Sequence, residues 1–147
     1  MLTPLIVSLS IGTAAADPSI AYTEGFRAGV CVGLSTECPL AAIKLEYVGE
    51  HIGGNIGIGL LQSANLRWYP GRLRGGGAVH LRSFLHGGIA VYPFLEGWKT
   101  PDYSVGAGLD LHTGKSGRLI LQPSVCALFR GHGEPYPFGA LSLVVGF

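Results

Sequence analysis

The chain has 147 residues, enough for one domain, with Gly 24, hydrophobic residues at 48%, charged residues at 13% and one Met. Soluble domains carry about a quarter charged residues, so charge is scarce here, and no run reaches the ~18 apolar residues of a membrane-spanning helix. A net charge of +1, with Lys and Arg scattered, excludes an electrostatic nucleic-acid binder and leaves a buried all-β protein or a membrane barrel.

Leu2–Ala16 is apolar and ends Thr13-Ala14-Ala15-Ala16-Asp17. The triple Ala offers the small residues that signal peptidase reads, so residues 1–16 are expected to be a signal peptide and 17–147 the mature domain. No Lys or Arg precedes the stretch and Pro4 sits early, which fits a buried N-terminal strand instead.

From Gly25 the pattern is alternation, the period of a half-buried strand. Phe26, Ala28, Val30, Val32 and Leu34 share one face, and Arg27, Gly29, Cys31, Gly33 and Ser35 the other. Thr36–Leu40 reads as a turn, followed by Ala41, Ile43, Leu45 and Tyr47 opposite Lys44 and Glu46, then a turn at Glu50–Gly54. Asn55–Tyr69 is either one long strand or a hairpin turning at Leu61-Gln62-Ser63, which would set Leu60 opposite Ala64. Pro70–Gly77 is a connection, and Ala78–Phe94 alternates again, with His80, Arg82, Phe84 and His86 on one side. After a loop at Leu95–Asp102, Tyr103–Leu111 sets an apolar face against Ser104, Asp110 and His112. Thr113–Gly117 is a tight turn. Leu119–Phe129 follows, with Pro123 on its apolar face, where it must cost a ladder bond or mark a bulge. The final strand, Phe138–Phe147, alternates Leu141, Leu143, Val145 and Phe147 with Ala140, Ser142, Val144 and Gly146.

The charged residues of the strands all fall opposite the apolar face. The charge-bearing face also carries many glycines, as a narrow barrel interior requires. Tyr47, Trp68, Tyr103, Phe129 and Phe147 sit near strand ends on the apolar face, where membrane-interface girdles belong. The expected fold is therefore all-β: an antiparallel up-and-down transmembrane β-barrel, apolar outside and polar inside. Bacterial barrels have an even number of strands and both termini on the periplasmic side, which selects the hairpin and a total of eight.

The interior is expected to hold a polar network of Arg27, Lys44, Glu46, Arg67, Arg82, Asp110 and Arg118, joined by Glu50, with cations in excess. An eight-stranded interior is about filled by side chains, which argues for structure over an open anion channel. Cys31 and Cys38 flank a short turn and either pair or, with Cys126, remain thiols; an odd count leaves at least one unpaired. No metal site or cofactor is expected. His80 and His86 are six apart on one inward face, too far to ligate one ion together, and are expected to hydrogen-bond inside.

With the leader, segments such as Asn65-Leu66-Arg67-Trp68-Tyr69-Pro70 and Tyr103-Ser104-Val105-Gly106-Ala107-Gly108, and the terminal Phe147, the chain resembles small outer-membrane barrels of the OmpA-like and OmpW-like kind. The resemblance covers most of residues 25–147 at the level of pattern. It implies a bacterial outer-membrane location, insertion by the barrel assembly machinery, and contact with outer-membrane lipid and lipopolysaccharide, as a monomer. It implies no shared activity. The function expected is a non-catalytic barrel with a structural or envelope-interaction role. The alternatives are a barrel of lipocalin-like width holding a small hydrophobic ligand, and a lipid A-modifying hydrolase. For the last, the His and Ser two apart on one strand face are missing. Asp110 and His112 form an acid–base pair at the periplasmic end, away from lipid A, and His132 and Glu134 lack a neighbouring Ser.

Overall fold

The computed structural model describes residues 24–71, 74–76, 79–91, 101–113, 118–131 and 133–147. The expected leader and His132 lie outside these residues. Alternation becomes strand in every segment: β1 (Gly25–Leu34), β2 (Pro39–Val48), β3 (Ile52–Gly59), β4 (Gln62–Trp68), β5 (Arg74–Gly76), β6 (Val79–Val91), β7 (Asp102–Thr113), β8 (Leu119–Arg130) and β9 (Tyr136–Gly146). Sequence neighbours pair antiparallel, β9 returns to β1, and β4 pairs with β6, so eight strands close a barrel. The three-residue β5 only extends β6.

The hairpin within 55–69 exists, which decides the strand count. Its reversal lies earlier than expected: Ile58 faces Gln62 and Ile56 faces Ala64, so Leu60 is in the turn and not opposite Ala64. β3 likewise begins at Ile52, two residues before the expected end of the preceding turn. Pro123 costs ladder pairing without a bulge. The β7–β8 pairing lapses at Leu109 and Asp110 opposite Pro123 and Gln122, then resumes in the same register.

The strands are strongly tilted. Following paired residues once round the barrel from Gly146 passes Arg27, Glu46, Asn55, Asn65, Gly88, Ser104 and Leu128, and returns to β9 at Tyr136, its opposite end. A barrel can close only with such a stagger. Here it has a second effect. It brings residues from different rows to one level of the lumen: Asp110 lies six residues along β7 from Ser104, the β7 residue on Arg27's path, and yet bonds Arg27.

The barrel is inside-out relative to a water-soluble one. Val30, Val32, Ile43, Leu45, Ile56, Ile58, Leu66, Leu85, Val105, Val125, Leu141 and Leu143 are exposed on its outer face. Arg27, Lys44, Glu46, Arg67, Arg82 and Asp110 are buried within. Inward glycines make room for the larger side chains. A Cβ on Gly106 would stand 2.6 Å from His86 Nε2, and one on Gly108 would run into the Phe84 ring.

The β1–β2 connection departs furthest from expectation. Ser35, Thr36, Glu37 and Cys38 are all buried, at 5%, 0%, 1% and 0% exposure. The segment folds into the lumen instead of standing out from the rim. Cys31 and Cys38 are bonded, with Cα atoms 5.8 Å apart, pinning the connection to the inner wall of β1. Cys126 is a buried free thiol.

Candidate functional site

Inward positions of β1, β2, β3, β4, β7, β8 and β9 converge on one buried polar network. Arg27 Nη1 donates to Asp110 Oδ2 at 2.7 Å and Glu46 Oε1 at 3.2 Å. Gln122 Nε2 donates to the same two carboxylates, at 2.9 Å to Asp110 Oδ1 and 2.8 Å to Glu46 Oε1. Arg67 Nη1 lies 3.0 Å from Glu46 Oε2, and its guanidinium stacks 4.1 Å over the Phe84 ring.

Glu37 is the second focus. Lys44 Nζ donates to its Oε2 at 2.8 Å, Arg67 Nε to its Oε1 at 3.0 Å, and Asn55 Nδ2 to both oxygens at 3.0 Å. Arg67 Nη2 also donates to Oε2, making the Arg67 fork bidentate. His86 Nδ1 stands 3.8 Å away. Burial alone would raise this carboxyl, which belongs to the connection and not to a strand, yet Arg67 and Lys44 hold it well below the usual carboxylate range. Thr36 fixes the backbone of the connection through bonds with Asn65 and Ser104.

Of the residues expected in the network, Arg27, Lys44, Glu46, Arg67 and Asp110 are brought together. Arg82 is buried at the end of the lumen nearest Gly25 and Phe147. It donates to the carbonyls of Gly49, Glu50 and Gly71, and stacks 4.1 Å over Tyr69. Two expectations are corrected. Arg118 is exposed one residue before β8, because the inward parity loses its meaning where the strand stops. The Glu50 side chain is also exposed, near His51, and only its carbonyl serves the interior.

The expected excess of cations omits Glu37. With it, Arg27, Lys44 and Arg67 face Glu37, Glu46 and Asp110, an even balance among these groups. Alternation cannot find Glu37, since it applies to strands and not to connections. The usable signal was an acidic residue beside one of two closely spaced cysteines.

His80 and His86 are buried as expected; the ring nitrogens of His80 have no hydrogen-bond partner among the described residues, and His86 Nδ1 stands 3.8 Å from Glu37 Oε1. No three His, Cys, Asp or Glu residues among those described are placed to hold a metal ion. Asp110 and His112 are both enclosed, and Asp110 accepts from Arg27 and Gln122.

The aromatics named for the strand ends divide between two rims. Tyr47, Trp68 and Phe147 are exposed at one end, where Phe26 packs on Tyr47 with centroids 5.1 Å apart. Tyr103 and the half-buried Phe129 pair across β7 and β8 at the other.

That second end holds a cavity of about 270 Å³ lined by Leu34, Ser35, Leu61, Ala90, Leu128 and Phe138, with Arg130 and Tyr136. Arg130 is paired there with Asp102, both bonds 3.2 Å. No protein-family model, curated protein or solved structure matches the chain.

Proposed function

We propose that the chain is an integral barrel of the bacterial outer membrane, non-catalytic, with a structural or envelope-interaction role. The observation that carries this reading is the reversal of polarity: buried ion pairs inside, and a belt of exposed Val, Ile and Leu outside. Water makes such a belt costly, whereas lipid covers it, and aromatic rims at both ends fit the two interfaces. The end bearing Gly25 and Phe147 would then face the periplasm, and the end bearing the cavity would face outwards, towards lipopolysaccharide. Insertion would be the work of the barrel assembly machinery, and the product a monomer. Asp110 is engaged with Arg27 and Gln122, which favours a structural role over catalysis.

The test is folding into detergent micelles. The expected result is a β-rich species that runs faster on a gel unheated than boiled, together with retention in membranes after carbonate washing. Release by carbonate without detergent would overturn the reading. A second reading, a small apolar ligand held in the barrel, is favoured by the mouth cavity with its Leu, Ala and Phe lining.

A further inference from the structure

We propose that Lys44, Asn55 and Arg67 form a binding site for a small carboxylate, or a planar oxyanion of similar size, and that Glu37 is its tethered occupant. The donors and the acceptor come from different parts of the fold. Lys44, Asn55 and Arg67 project from the wall strands β2, β3 and β4, whereas Glu37 enters from the connection.

Each donor also has a partner in the wall. Lys44 Nζ bonds Gln122 Oε1 and Ser142 Oγ, both at 3.2 Å. Asn55 Oδ1 accepts from Asn65 Nδ2 at 3.1 Å. Arg67 is held by Glu46 and by the Phe84 ring. The receptor therefore keeps its geometry without Glu37. A guanidinium fork, an ammonium and an amide aimed at one point constitute carboxylate recognition chemistry.

Charge argues in the same direction. Among the described network residues, losing Glu37 would set three cations, Arg27, Lys44 and Arg67, against two acids, Glu46 and Asp110, a balance that an external anion would restore. The mouth cavity borders the connection on its outer side, its lining including Ser35, the first residue of the connection.

The test compares wild type with Glu37→Ala in detergent micelles, over a sodium formate series against sodium chloride at equal ionic strength. Formate is expected to raise the unfolding midpoint of Glu37→Ala saturably, by on the order of 5 °C, and to leave wild type unmoved. Adding Arg67→Gln to Glu37→Ala should remove the response. If Glu37→Ala does not refold in chloride, the refolded fraction becomes the readout, and recovery in formate is the expected result.

The proposal is overturned if formate and chloride act alike on Glu37→Ala in both readouts, or if the response survives Arg67→Gln. The wild-type lane of the same gel separates this from the membrane reading. A wild type without heat-modifiable migration counts against the membrane, and the series is then run in detergent-free buffer. A heat-modifiable wild type with a formate-blind variant counts against the site alone.

Discussion

Arg27 shows why single side chains matter in this lumen. It is 2% exposed and serves two carboxylates, Glu46 from the adjacent strand β2 and Asp110 from β7 across the interior. Removing the cation leaves both acids short of a partner in a space water enters poorly. Arg27→Met is expected to cost about 3–5 kcal/mol, measured by urea unfolding in micelles. Arg27→Met with Asp110→Leu should lose less than the two single variants added together, since one orphaned charge goes with its partner. A loss under 1 kcal/mol for Arg27→Met would show that the pair is not truly desolvated. The sequence made Arg27, Lys44, Glu46, Arg67 and Asp110 legible because parity fixes the face of each strand residue. The same parity had Asn55, Asn65, Gln122 and Ser142 facing inwards, without saying that they would bridge charges. Which residues touch depends on the stagger between strands, and alternation within one strand carries no information about that.

At the scale of elements, strands were easy to read and connections were not. Among the described residues each strand pair keeps one register along its length, so no bulge shifts a side chain to the wrong face, and the lapse opposite Pro123 leaves the register intact. The turn at Leu60 was misplaced because Leu60 has the apolar character of a strand residue although it lies in the turn itself. The sequence pattern reads Thr36–Leu40 as an ordinary turn. Its inward course depends on long-range partners, Asn65, Ser104, Lys44 and Arg67, that no local pattern encodes. The disulfide that pins it spans a sequence separation of 7. Cys31→Ser with Cys38→Ser is expected to lower stability by about 2–3 kcal/mol on the chain-entropy account. The measurement is the urea midpoint of the double variant against the oxidised wild type. Equal midpoints would mean that Glu37 and Thr36 hold the connection unaided.

For the molecule as a whole, the sharpest contrast between lipid and water as its surroundings lies on the outer face of β8. Val125 is 68% exposed near mid-strand. If lipid covers it, Val125→Arg should cost about 2–4 kcal/mol in bilayer folding, as arginine does near the membrane midplane. If water covers it, the change should fall within about 0.5 kcal/mol, as for ordinary surface substitutions. Reversible folding into short-chain lipid vesicles reads the difference directly. The Cys31–Cys38 bond also imposes an order of events. Both sulfurs belong to residues buried inside the lumen, one at 6% and the other at 0% exposure, where an oxidant arriving late has poor access. The two cysteines are close in sequence and can meet in an unfolded chain, whereas β9 must travel almost the whole length of the molecule to reach β1. Oxidation is therefore expected to precede closure of the final seam. A polypeptide kept reduced until its barrel had closed would carry these thiols unoxidised, recording in its chemistry the compartment through which it had passed.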